Sequence, residues 1–263
     1  MNPARQVERQ RAFYASGAHA HLRPIGDDYY ARNIVTQLVH AIGLRPQHRV
    51  LEVGAGFGRF TLPLLDACDS VVALDVSERA LRDLERVRDA SSIAPQRCQL
   101  VVGDVNQISP QQFTSSFDAI VGFFFLHHLP DYRQAVRRLT PLLASGARMA
   151  FVEPNRRNPL FLAQVACCAD MTWREEKGMF RLSRRGIVDV FRDAGLCAIR
   201  TETFGFFPPQ IYNRFTTMRS LEGRLQGLCP LRSFLPFIVT TGEAAPAEAP
   251  SPAVAGRLIR RDA

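Results

Sequence analysis

The chain has 263 residues, 46% apolar and 22% charged, which is ample for a real core and excludes a disordered scaffold. The formal charge of +8 is almost all arginine, Lys177 being the only lysine; the arginines are scattered in ones and twos, with no basic block and no stripe alternating with aromatics, so no nucleic-acid partner is expected. Six cysteines form no C-x-x-C pair and lack histidines at zinc spacing, no stretch reaches the roughly 18 apolar residues of a membrane span, and the opening MNPARQVERQRAFY lacks an apolar signal core; the expectation is a reduced, cytoplasmic protein with no metal and no transmembrane segment.

Residues 1–48 read as leading helices that carry Phe13, Tyr14, Tyr29 and Tyr30. Short apolar runs then alternate with amphipathic stretches, the pattern of a parallel sheet with helices on both faces. The predicted strands are RVLEV (49–53), SVVALD (70–75), CQLVVG (98–103), FDAIVGF (117–123), ARMAFVE (147–153), CAIRTETF (197–204) and SFLPFIVTT (233–241). The helices between them are FTLPLLDAC, SERALRDLERVRDA with Ser77 as N-cap, DYRQAVRRLTPLLAS and SRRGIVDVFRDAG, which ends on Gly195. In the third of these, Ala135, Leu139, Leu142 and Leu143 make one helical face. Insertions at about 154–183 and 205–232 break the rhythm and are placed as a substrate lid, and the Ala/Pro-rich residues 242–263 read as a disordered tail.

Three glycines follow the first strand directly, in E-x-G-x-G-x-G from Glu52 to Gly58. A strand, a glycine turn and a helix put backbone N–H groups at the C-terminal edge of a sheet, which is a ligand crevice. A dinucleotide fingerprint needs a small residue where this chain has Arg59, and a carboxylate at Glu52 repels a diphosphate while suiting the amino group of a zwitterion. Asp75 ends strand two, 21 residues after Gly54, where an acid can accept from ribose hydroxyls. Strand three ends in Gly103-Asp104-Val105, offering a carboxylate and an apolar face to a base.

VLEVGAGFGRF, VVALDVS, VVGDV, FDAIVGFFFLHHL and LLASGARMAFVEPN resemble the successive motifs of class I S-adenosylmethionine (SAM)-dependent methyltransferases, over about residues 45–205. The resemblance implies an α/β fold: a seven-stranded Rossmann-like sheet of order 3-2-1-4-5-7-6, last strand antiparallel, spanning residues 49–241. It also implies SAM as cofactor. By the same resemblance Glu52 and the loop Gly54, Ala55, Gly56 and Gly58 meet its methionine end, Asp75 and Val76 its ribose, and Asp104 and Val105 its adenine. Phe123, at the end of strand four, and Tyr14, which related enzymes fold over SAM, complete the set. One departure is Ser145-Gly146, where the family often has Pro-Gly-Gly.

The acceptor side is read from strands four and five. Strand four runs into GFFFLHHLPDY, without the N/D-P-P-Y/F of nucleic-acid amino methylation or the Pro-Cys of cytosine C5 enzymes, and is similar to small-molecule methyltransferases. His127 and His128 are candidate general bases, with helix capping or packing as the other reading. Glu153 and Asn155 either face a polar acceptor or simply form the turn. Trp173, Phe207 and Tyr212, in the insertions, are candidates to line an apolar pocket. The expected function is methyl transfer from SAM to a small, partly apolar organic acceptor, O-methylation slightly ahead of N- or C-. The alternatives are a non-catalytic SAM-fold binding subunit and a nucleic-acid methyltransferase.

Overall fold

The computed structural model describes residues 8, 23–24, 26–159, 177–228 and 232–246. The candidate residues Tyr14 and Trp173 lie outside them. The elements, in chain order, are α1 (Tyr29–Ile42), β1 (Arg49–Val53), α2 (Thr61–Leu65), β2 (Ser70–Asp75), α3 (Glu78–Ala90), β3 (Cys98–Val102), β4 (Phe117–Phe123) and α4 (Tyr132–Leu139). They continue with β5 (Leu143–Pro154), α5 (Arg184–Asp193), β6 (Leu196–Phe204), α6 (Pro209–Arg214), α7 (Thr216–Leu228) and β7 (Phe237–Ala244).

The sheet order is β3-β2-β1-β4-β5-β7-β6, as the resemblance implies, with β1 to β5 parallel and β7 antiparallel to both neighbours. Strand residues point alternately to the two faces, and both faces are covered. Leu51, Val53, Val72, Leu74, Met149 and Phe151 pack under α4 and α5. Val50, Val71, Val121 and Val152 pack under α1 and α2, and α3 lays Leu81 and Leu84 on Ala73. Helix α1 therefore belongs to the core although it precedes the first motif: Ile34, Val35, Leu38 and Ile42 are its buried stripe.

Three local expectations change. Helix α4 stops at Leu139 because Pro141 cannot continue it; one 3-10 turn, Thr140–Leu142, follows, and Leu143 already pairs with Phe117 as the start of β5. Leu143 is thus a strand residue rather than part of the α4 face. Within β5 the pairing slips between Phe117 and Ala119 at Gly146, whose φ of +71° supplies the bulge. Strand β7 begins at Phe237, after a 3-10 turn at Arg232–Phe234, and runs to Ala244, so residues 242–244 are sheet rather than tail.

The second insertion forms α6 and α7, and one of the links that hook them to the rest is a buried node at Asp28. Asp28 caps α1 by accepting from Ala31 N at 3.1 Å, pairs with Arg59 of the glycine turn at 2.6 Å, and accepts from Asn213 of α6 at 3.2 Å. Burial alone would raise the Asp28 pKa; the Arg59 hydrogen bond and charge, with the Ala31 amide and Asn213, outweigh it and hold the carboxyl below its ordinary value. Asp28→Ala removes the cap and strands a largely buried guanidinium, so it is expected to cost about 2–4 kcal/mol in a urea titration, above the ~1 kcal/mol of a cap alone. A loss no larger than a cap's would show that the Arg59 pair contributes nothing.

Candidate functional site

The turn after β1 closes back on β2: the amides of Gly54 and Ala55 both donate to Leu74 O, at 2.8 and 3.2 Å, and Gly58 N donates to Ala55 O at 2.9 Å. Two of its glycines are needed for chain packing. A Cβ on Gly54 would enter the ring of Phe125, and one on Gly58 would overlap the Leu84 side chain from α3. Gly56 is different, since at φ +53° a Cβ there would meet nothing within 4 Å. The open member of the trio is the middle one.

Asp75, at the end of β2, fixes this turn from the side. One carboxylate oxygen accepts from Gly56 N and the other from Ser77 N, both at 2.8 Å, and Ser77 in turn caps α3 through Ala80 N at 3.3 Å. Burial pushes the Asp75 pKa up, against the pull of these amides. Above the carboxylate lies a crevice lined by Gly54, Asp75, Val76, Asp104, Val105 and Phe125 together with Leu74, Gly103 and Leu129. It opens at the C-terminal ends of β1, β2 and β3, beside the point where the strand order reverses. Among the described residues the lining carries two carboxylates and no cation, so it suits hydroxyl and amino groups and disfavours a diphosphate. Those residues and the open Gly56 fit an adenosyl amino acid. A roomier concavity lies along α3, lined by Arg23, Arg79, Arg82 and Arg86 with Glu78 and Asp83; Arg23 and Arg86 both meet Asp83 there and Arg82 meets Glu78.

Glu52 and Phe123 sit apart from that lining. The Glu52 carboxyl is 1% exposed behind the turn and accepts from the Thr61 hydroxyl at 2.6 Å. Desolvation, reinforced by the Asp75 charge and opposed by Thr61, raises its pKa to about 8. Phe123 is buried and stacks on Phe60 with ring centroids 4.7 Å apart. Ala55 is buried with α3 against β2.

The exit of β4 is shaped by a second buried carboxylate. Phe124 adopts φ +53°, an uncommon conformation for a bulky residue. It turns the chain so that the Phe125 and Leu126 amides both reach Glu153 Oε1, at 3.0 and 2.6 Å, while Glu153 Oε2 lies 2.6 Å from His127 Nδ1. Both partners of that last contact are about 1% exposed. The same turn presents Phe125 to Gly54 and the crevice. His127 is therefore enclosed; His128, half-buried with its ring 3.9 Å from that of His127, is the more open of the pair. Asn155 is likewise engaged by the chain: its amide nitrogen donates to Ser233 O and Leu235 O at 2.9 and 2.7 Å, and its carbonyl accepts from Arg157 N. The polar ends of Glu153 and Asn155 are thus spent on turns.

Of the insertion residues, Phe207 is half-buried against Phe206, and Tyr212 is buried edge-on to Tyr30 at 5.9 Å. Sequence reasoning missed Glu222, which is 2% exposed; one oxygen accepts from the Phe206 and Phe207 amides and the other from Asn33 and Gln226. Its signal was available, as the only acid between residues 205 and 236. Phe125 and the Arg59–Asp28 pair were also missed.

Residues 51–149, just over a third of the chain, match the family model described as a methyltransferase domain. Among curated proteins, ribosomal RNA small subunit methyltransferase A of Dichelobacter nodosus is 40% identical over 60 residues, covering 23% of each chain. Nodulation protein S of Sinorhizobium fredii is 36% identical over 110 residues, covering 40% of this chain and 47% of its own. The match thus spans less than half the length of either relative. Among solved structures, magnesium protoporphyrin IX methyltransferase of Synechocystis with bound SAH shares the fold at a TM-score of 0.61 and 14% identity, over 91% of this chain and all of that one.

Gly58→Ala drives a Cβ onto Leu84 and is expected to cost about 2–3 kcal/mol in a denaturant titration, whereas Gly56→Ala meets open space and costs only the ~1 kcal/mol of a left-handed alanine. Equal losses would contradict the packing assigned to Gly58. Because the Glu52 pKa is raised on folding, its contribution to stability is complete below its unfolded value and is lost as pH climbs towards about 8. Glu52→Gln should therefore melt no higher than the parent at about pH 5 and clearly higher at about pH 9; a pH-independent difference would show that Glu52 does not titrate in this range.

Proposed function

With residues 51–149 a methyltransferase domain on the class I fold, we infer that the chain transfers a methyl group from SAM to a small organic acceptor. The observation that carries this reading is the crevice itself: two carboxylates at the ends of β2 and β3, which suit hydroxyl and amino groups and would repel a diphosphate, beside an open glycine. Asp75 would accept from the ribose hydroxyls with its geometry already fixed by Gly56 and Ser77, while Asp104 and Val105 would hold the adenine. The Gly56 turn lets main chain lie along the methionine end. SAM, when bound, supplies a sulfonium methyl open to in-line displacement, so the protein's task is alignment and exclusion of water.

The acceptor side would lie over the ends of β4 and β5, beneath α6 and α7, where Phe60, Phe124, Tyr212 and Phe237 gather. Phe60 and Phe124, the half-buried members of that cluster, support a partly apolar acceptor, with Phe207 and Tyr212 as its further candidate contacts. Where the acceptor must lose a proton, as a hydroxyl does, His128 is the histidine left to take it, since His127 Nδ1 is enclosed with Glu153. This keeps O-methylation slightly ahead of N- or C-methylation. Glu153 acts on the site through the turn, by holding Phe125 over Gly54.

The test is titration calorimetry with SAM and with NAD, followed by a radiolabelled methyl assay over phenolic, amine and RNA acceptors. SAM is expected to bind and NAD to be ignored, and Asp75→Ala should weaken SAM by about 1–3 kcal/mol, the scale of lost charged hydrogen bonds. Methylation confined to small acceptors supports the reading. NAD binding in place of SAM, or transfer to RNA with a steep salt dependence, would replace it.

A further inference from the structure

Helices α6 and α7 form a cap whose outer surface is unusual for this molecule in apolar exposure and in its lack of exposed acids. Of eight large apolar side chains exposed among the described residues, five lie between residues 206 and 234: Phe206 at 38%, Ile211 at 37%, Phe215 at 48%, Leu221 at 39% and Phe234 at 46%. Ile211 and Phe215 are four apart, on one face of α6 and its end, and Leu221 projects from the solvent face of α7. Interleaved with them are Arg214, Arg219, Arg224 and Arg232, while the one carboxylate in this stretch, Glu222, is buried on the cap's inner side. Several surface arginines elsewhere face acids, as in Arg32–Asp66, Arg82–Glu78 and Arg192–Asp189. Here Arg219 lies over the Tyr29 ring at 3.8 Å and Arg214 over Phe215 at 5.7 Å, and neither they nor Arg224 pairs with a carboxylate among the described residues.

We propose that this face, formed by α6, α7 and the turns that flank them, is a docking surface for an anionic lipid bilayer. Exposed aromatic and aliphatic side chains enter the boundary between headgroups and acyl chains, and guanidiniums fringing them meet lipid phosphates; each half supplies what the other lacks. A nucleic acid would engage the arginines but leave Ile211 and Leu221 with no use. A second copy of the chain would set four like charges against four, with no exposed carboxylate from the stretch to answer them. No described helix is long and apolar enough to cross a membrane, so the contact is peripheral. The inference is independent of which acceptor is methylated.

The experiment is vesicle flotation of the full chain with pure phosphatidylcholine and with equal phosphatidylcholine and phosphatidylglycerol, at about 0.1 M and about 0.5 M salt. Recovery with the anionic vesicles is expected to exceed that with neutral ones at least roughly tenfold in low salt and to fall sharply in high salt. Phe215→Ser with Leu221→Ser should lower it several-fold with the arginines intact, and Arg214→Gln with Arg224→Gln should remove most of the preference for anionic lipid. Both pairs are surface changes, and unchanged SAM affinity and melting temperature confirm that they fold. Equal recovery on neutral and anionic vesicles, or recovery unaffected by either pair, overturns the proposal. So does dimerisation in ultracentrifugation that the Phe215/Leu221 pair abolishes, or tight salt-dependent binding of a DNA duplex without vesicle binding.

Discussion

The Asp75 carboxylate is the joint on which the crevice hangs. It is nearly closed to solvent, its two oxygens each hold a backbone amide at 2.8 Å, and those amides belong to the glycine turn and to the entry of α3. A buried anion is costly unless its lone pairs are met, so its amides keep the turn and the helix start in one fixed relation to the end of β2. The floor and one wall of the crevice are set by that relation, and Gly56 is held open beside it.

The same device recurs around the upper edge of the sheet. Glu153 gathers two amides and an imidazole at the exit of β4, and Glu222 gathers two amides and two side-chain amides inside the cap. Glu52 is the variant of the theme: its carboxyl accepts from the Thr61 hydroxyl, and burial raises its pKa to about 8. Asp75, Glu153 and Glu222 are stitched into turns by backbone amides and so shape the site, while Glu52 is tied to Thr61 behind it.

The central strands were legible because residues buried on both faces read as near-continuous apolar runs; β2 ends with its run at Asp75, whereas the run of β4 continues through Leu126 and the strand stops at Phe123, where Phe124 turns the chain at φ +53°. Pattern failed where a single residue overrules it. Pro141 ends α4 inside an otherwise helical stretch, Gly146 inserts a bulge, and β7 continues through Gly242 and Ala244, whose small side chains look like the start of a tail. At the site, spacing put Gly54, Asp75, Asp104 and Val105 at strand ends, which is a property of the chain alone. Whether a polar side chain looks outward to a ligand or inward to the backbone is not. Glu153 and Asn155 sit where an acceptor wall is expected and give their oxygens and nitrogens to the protein.

Arg59 stands in the sequence where a dinucleotide turn carries a small residue, and its guanidinium leaves the turn to meet Asp28, which also receives Asn213 from the cap. The turn, the first helix and the cap thereby meet at one largely buried carboxylate. Displacing the turn breaks the Arg59–Asp28 pair and displacing the cap breaks the Asn213–Asp28 hydrogen bond, so both movements carry a penalty at the same group.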